Sequence, residues 1–168
     1  VATFVNGALM LTLIGKPLAA LQDGLTEWLA GLSGANAILL GLILGLMMAF
    51  DMGGPVNKTA YVFATLNLTE AIADNNGPAL QIMAAVMAAG MGPPLALALS
   101  STILRPKLYS EAERENGKAA WLLGASFITE GAIPFAASDP LRVIPSIMAG
   151  SALTGALVMA FGCELRAP

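Results

Sequence analysis

Three long stretches of the chain carry no charged residue: Leu29–Phe50, Pro78–Leu104 and Val143–Cys163. A bilayer core takes roughly 20 consecutive apolar residues, so each stretch predicts a spanning helix. In the first, Gly41 and Gly45 form a G-x-x-x-G face, on which a second helix packs closely. In the second, Pro93-Pro94 predicts a kink, because proline lacks an N–H and crowds the preceding turn. Ala88, Ala89, Gly90 and Gly92 leave that region thinly clothed, and another element is expected against it. Val1–Gly15 is apolar but short for a span, and fits the second half of one, ended by Lys16-Pro17. Within Pro17–Leu32, Leu18, Leu21, Leu25, Trp28, Leu29 and Leu32 recur at spacings of three and four, which predicts an amphipathic helix. It either packs on its own protein or lies in the lipid interface with Trp28 as anchor.

Polar positions cut this pattern at defined places. Phe50–Lys58 reads FDMGGPVNK: Asp51 follows an apolar helix directly, and Gly53-Gly54-Pro55 breaks it. This is either a surface turn or an unwound segment lining a cavity, with Asp51, Asn57 and Lys58 as its polar groups. Thr59–Ala73 predicts a helix too short and too polar to span, since it holds Asn67 and Glu70. Asp74-Asn75-Asn76-Gly77 predicts a turn, and Pro78 suits the first turn of the following helix. Arg105–Lys118 is strongly hydrophilic. There, Ser110 followed by Glu113 makes a capping box that predicts a short surface helix. Its four basic residues place this loop in the cytoplasm and the Asn-Asn-Gly turn outside. Ala119–Ile128 is apolar but only half a membrane deep at about 1.5 Å per residue.

Composition supports the membrane class. Of 168 residues 57% are hydrophobic and 11% charged, with a mean hydropathy of +0.75. Soluble domains carry roughly 25% charged residues. The formal charge of −3 and the scarcity of basic residues exclude a nucleic-acid footprint. The absence of histidine removes the commonest metal ligand and general base, and with it any Ser–His–Asp arrangement. No nucleotide-binding glycine loop or metal-ligand cluster appears in the sequence. Cys163 stands alone, without a disulfide partner, and is expected as a small buried hydrophobe in the last helix. The chain opens inside an apolar run, which suggests a piece of a longer protein.

The chemistry concentrates in Gly124–Ser146, GASFITEGAIPFAASDPLRVIPS. A half-length helix reaches Thr129-Glu130-Gly131, bends, passes Pro134 and Asp139-Pro140, and returns. That outline is a re-entrant hairpin with a carboxylate near its tip. A buried Glu is costly unless paired or hydrated, and ionisable groups at membrane depth mark function. Three readings of the residues stay open: a polar translocation site, a structural ion pair of Glu130 or Asp139 with Arg142, and a surface loop. The predicted fold is an all-α integral membrane bundle with broken helices and a re-entrant hairpin, residues 1–168 forming a single membrane domain.

The blocks GASFITEGAIPFAASDPLRVIPSIMAGSALTGAL and MMAFDMGGPVNKTAYVF resemble the membrane IIC component of the bacterial fructose-specific phosphotransferase system, and the likeness extends to GCELRAP. The resemblance implies a permease, multi-pass in the cytoplasmic membrane and homodimeric when full-length, of which this chain is the second half. It implies that fructose or a related hexose crosses the membrane and receives a phosphoryl group from a cysteine of a partner IIB domain, giving the 1-phosphate. Such a system is a protein-phosphohistidine–sugar phosphotransferase, and its phosphoryl donor residue does not lie on this chain. Related sugar families bind their substrate with the Glu of an I-T-E motif, here Ile128-Thr129-Glu130. They often pair it with a His, for which Asp51 is the proposed substitute here.

On that basis Glu130 is the expected catalytic group, accepting the proton of the attacking hydroxyl. Asp51, Asn57 and Thr129 join Glu130 as sugar ligands, and Lys58 or Arg142 balances charge or steers the donor. Phosphoryl transfer rests on positioning and electrostatics, so this chain needs no cofactor of its own. Two other classes compete: an ion- or proton-coupled secondary sugar transporter built on Glu130 and Asp51, and a membrane scaffold that transports nothing.

Overall fold

The computed structural model describes residues 36–74 and 77–166, together with Ala20 and Gly24; at 67 and 69–74 only the backbone is described. The amphipathic Pro17–Leu32 apart from Ala20 and Gly24, the apolar Val1–Gly15 and Asn75-Asn76 therefore lie outside the described residues. The described chain is helical throughout, with no strand: α1 Ala37–Phe50, α2 Pro55–Asp74, α3 Gly77–Leu99, α4 Glu111–Ala125, α5 Ile133–Ser138 and α6 Pro140–Phe161. A π turn at Ser100–Leu104 continues α3, and 3₁₀ turns occupy Pro106–Leu108 and Thr129–Ala132. Two segments are long and apolar enough to cross a membrane, Gly77–Leu104 and Pro140–Phe161.

α3 is the mast on which the rest is hung. Its N-terminal half, from Ala79 to Ala89, shares one apolar core with α1 and α2 (Leu40, Leu44, Met47, Phe63 and Leu68 among them). Its C-terminal part, at Leu97 and Ala98, belongs to a second core with Ala120 of α4, Phe135 of α5 and Ile147 of α6. The predicted Gly41/Gly45 face finds its partner in α6. A methyl group on Gly41 would collide with the Gly155 carbonyl, and one on Gly45 would stand 2.7 Å from the Ser151 carbonyl carbon. Backbone therefore packs on backbone, which only small residues allow.

Pro93-Pro94 does not break α3, which runs on to Leu99. Pro93 cannot donate to the carbonyl of Ala89 four residues earlier. The Ser151 hydroxyl of α6 donates to that carbonyl instead, at 2.9 Å. The thin stretch around the prolines is packed as its small residues predicted. A Cβ on Gly90 would lie 2.9 Å from Thr129 Oγ1 and 3.0 Å from Met48 Cε.

The two remaining units are helical hairpins running in opposite senses along α3. α1 and α2 reverse at Asp51–Gly54. α4 runs from its capping box to Ala125, the chain turns, and the 3₁₀ turn with α5 comes back beside it. Ser138 at the end of α5 donates to Glu113 Oε1 near the start of α4 at 2.7 Å, which closes the hairpin at its base. Gly124 meets Leu95 and Gly131 meets Pro94, so the tip of this hairpin reaches the middle of the Gly77–Leu104 segment.

Several expectations are corrected. The capping box and the apolar Ala119–Ile128 are not separate elements; the capped helix continues unbroken to Ala125. α2 is 20 residues long, because Pro55 starts it before the polar Asn57 and Lys58 instead of after them. The last helix begins at Pro140 and stops at Phe161, where Gly162 takes a left-handed φ of 63° that terminates it. Cys163 therefore lies beyond the helix and is exposed, not buried within it.

Candidate functional site at the meeting of two hairpin tips

The break between α1 and α2 is closed by side chains that exchange places across it. The carboxylate of Asp51, at the end of α1, accepts from the Val56 N–H at 2.7 Å and from the Asn57 N–H at 2.9 Å. These are orphan donors of the first turn of α2, and a carboxylate suits the positive end of the helix dipole. In return the Asn57 amide donates to the carbonyl of Met48, in the last turn of α1, at 2.6 Å. Each helix end thus has backbone groups met by a side chain from the other. Between them Met52 and Gly53 take positive φ, 43° and 106°. Gly54 must be bare as well, since a Cβ there would lie 2.5 Å from Asp51 Oδ2.

The second tip is built otherwise. Ser126 ends α4, its N–H shared between the carbonyls of Leu122 and Leu123. Phe127 follows in the left-handed region, with φ of 62°. An aromatic residue held there costs roughly 1–3 kcal/mol of strain, the kind of expense found at functional sites. The 3₁₀ turn then presents Thr129 inward, almost fully buried, and Glu130 across to the first tip.

The two tips touch. Lys58 Nζ donates to Glu130 Oε1 at 3.3 Å, an ion pair between residues 72 apart in sequence. Gly53 lies against the same carboxylate, and any Cβ on it would stand 2.8 Å from Glu130 Cδ. Beside the ion pair is a cavity of about 290 Å³, lined by Asn57, Lys58, Thr129 and Glu130 together with Tyr61, Ser126 and Phe127, and by Met48 and Met87 on its apolar side. That volume is at the lower end of small-molecule sites, roughly 300–1,000 Å³.

Of the residues singled out from sequence, Asn57, Lys58, Thr129 and Glu130 are thus brought together. Asp51 adjoins them, but its carboxylate serves the helix break and does not line the cavity. Arg142 is elsewhere: it pairs with Asp139 at 3.6 Å and borders a separate groove between α3 and α6. Glu130 takes Lys58, not Arg142, as its cation. Sequence reasoning missed Tyr61, Ser126 and Phe127. The signal for Tyr61 was present, since it lies three and four residues beyond Lys58 and Asn57 on the same face of α2.

No family model and no solved structure matches the chain. Among curated proteins it is 56% identical, over 99% of its length, to the "PTS system fructose-specific EIIB'BC component" of Rhodobacter capsulatus, of which it covers 28%. It is 53% identical, again over 99% of its length, to the "PTS system fructose-specific EIIC component" of Haloferax volcanii, covering 42% of that protein. With the "PTS system 2-O-alpha-mannosyl-D-glycerate-specific EIIABC component" of Escherichia coli it shares 46% identity over 99% of its length, 24% of the relative. The chain thus spans well under two thirds of the relatives it matches. Because one of them is named as an EIIC component alone, the shared segment is of IIC type, and the chain belongs to the family of fructose-specific phosphotransferase-system IIC components.

Proposed function

We propose that this chain carries the sugar site of a fructose permease, which moves the hexose across the cytoplasmic membrane as a multi-pass protein and presents it for phosphorylation. The observation that carries this reading is the Lys58–Glu130 pair, set at the contact of two broken helices beside a cavity of monosaccharide scale. Irregular backbone at membrane depth is tolerated where it lines such a cavity. In this reading the α4–α5 unit is a re-entrant hairpin entering from the cytoplasm, with the basic Arg105–Lys118 loop at its base.

Glu130 accepts a hydrogen bond from the hydroxyl that is to be phosphorylated. As that oxygen bonds to phosphorus, its proton passes to the Glu130 carboxylate, and the phosphorus–sulfur bond to the cysteine of the IIB partner breaks. Lys58 holds Glu130 in place and balances its charge. Asn57 and Thr129 border the sugar, and Asp51 acts by fixing the start of α2, and so Asn57 and Lys58, in position. Arg142 does not line the cavity and is assigned to the hairpin's exit.

Met87 and Tyr61 line the cavity on the Gly77 side of the hairpin tip. From Glu111 to Ala125 the hairpin is about 21 Å deep at about 1.5 Å per residue. In this reading the sugar and its donor approach from opposite sides, and the hairpin stands between them. Transfer requires that it move, which is the alternating access expected of a transporter.

The test is Glu130→Gln in the full-length permease, assayed with phosphorylated IIB. Sugar phosphorylation should fall roughly 10²–10⁴-fold, the usual contribution of a positioned general base. Uptake that persists without phosphorylated IIB would instead favour an ion- or proton-coupled secondary transporter. Phosphorylation unaffected by the substitution would remove Glu130 from the mechanism.

A further inference from the structure

Once the site's internal contacts are subtracted, few polar groups remain to meet a sugar. One N–H of the Asn57 amide is committed to the Met48 carbonyl, and one oxygen of Glu130 to Lys58. Besides Thr129, already set beside the sugar, two further hydroxyls on the cavity wall, Tyr61 Oη and Ser126 Oγ, have no hydrogen-bond partner among the described residues. They come from different hairpins, Tyr61 in the second turn of α2 and Ser126 at the end of α4. Between Ser126 and Thr129 stands the ring of Phe127, 43% exposed and lining the same cavity. Its left-handed backbone, φ 62°, turns an apolar side chain toward a polar site, where burial gives no reason for it.

We propose that Tyr61, Ser126 and Phe127 are the specificity surface of this cavity, the two hydroxyls each reading one hydroxyl of the hexose and the ring supporting its C–H face. This assignment rests on the permease reading above and names the residues that sort its substrates. The chemistry follows from the types. A hydroxyl both donates and accepts, so it pairs with a sugar hydroxyl in either sense. An aromatic face takes apolar C–H groups without regard to the orientation of any one hydroxyl. A site built on such pairs discriminates strongly against an analogue lacking the paired group, because a polar group is then left unmatched. Drawing the two readers from both hairpins also ties recognition to the contact between the tips.

The experiment is a calorimetric binding series on the purified full-length permease, with fructose and with analogues each lacking a single hydroxyl. Tyr61→Phe and Ser126→Ala remove one oxygen atom each. Each should raise the Kd for fructose about 3- to 10-fold, the effect of one net hydrogen bond. For each variant one analogue, lacking the hydroxyl that residue reads, should bind variant and wild type alike. Phe127→Ala should weaken every analogue by a common factor. If Tyr61→Phe and Ser126→Ala bind all the sugars as wild type does, or weaken all of them equally, the assignment is wrong while the permease reading stands. A wild-type protein that binds no hexose overturns both.

Discussion

The turn between α1 and α2 and the turn between α4 and α5 face each other across one cavity, and they are built by opposite means. At the first, two side chains close the gap in the backbone: Asp51 caps α2 and Asn57 caps α1. At the second, the backbone turns on its own hydrogen bonds, through a strained Phe127 and a 3₁₀ turn. The first tip spends its polar groups on its own architecture. The second leaves Glu130 with a single partner, and that partner lies on the other hairpin. The contrast separates a carboxylate bonded within its own hairpin from one that reaches across to the other. Two carboxylates, each next to a glycine-rich break at the end of an apolar helix, have different work because of what their neighbours already bond.

The sharpest way to break this comparison is to force the tips apart. Gly53 holds φ of 106°, and its missing side chain is the space that the Glu130 carboxylate occupies. Gly53→Ala introduces both a backbone strain and a collision. Displacements of about 1 Å in a positioned site cost on the order of 10²-fold. We expect phosphorylation by the full-length permease to fall by about that factor while the protein still assembles in the membrane. Activity at the wild-type rate would mean that Glu130 does not need the first tip.

The interruption at Asp51–Gly54 was legible in the sequence because charge, glycine and proline end an apolar run there visibly. The close-packing face of Gly41 and Gly45 was legible for the same reason, although its partner on α6 was not. What the sequence could not disclose was which charge answers Glu130. Arg142 lies 12 positions along the chain in the same block, and Lys58 lies 72 away. Periodicity and hydropathy carry no information on contacts of that range. Asp51 shows the other limit. An acidic residue four positions before a proline-started helix fits a sugar ligand as well as it fits a cap, and only the two N–H bonds decide how its oxygens are spent. Cys163 was misplaced because hydropathy runs past Gly162, whereas the left-handed turn of that glycine ends the helix.

A second substitution sharpens the division of labour between the carboxylates. Asp51→Ala leaves the cavity lining intact but frees two N–H groups of α2. Loss of a helix cap costs about 1 kcal/mol, range 0.5–2. Thermal unfolding in detergent should shift down accordingly. Sugar binding should weaken less than in Glu130 variants, and it should weaken equally for every analogue. An effect confined to one sugar hydroxyl would make Asp51 a direct ligand and erase the contrast between the two tips.

The smallest effect belongs to the base of the second hairpin, about 21 Å from its tip by helix rise. There Ser138 Oγ and the backbone and side chain of Ser110 all donate to Glu113. Those bonds, the one from Ser138 foremost, hold the Glu113 carboxyl below its ordinary value. A carboxyl lowered on folding stabilises the folded state at pH above its unfolded value. That stabilisation is lost as pH falls through the lowered, folded value. The group is largely solvated, so the gain is within about 1 kcal/mol. Ser138→Ala should therefore lower the melting temperature slightly at neutral pH, and the difference from wild type should close on acidification. If the base clasp also resists hairpin movement, the same variant should raise the rate of sugar phosphorylation modestly, in contrast to every substitution at the tips. A gap in melting temperature that stayed constant with pH would show that Ser138 acts through its bond to the Phe135 carbonyl, not through the Glu113 charge.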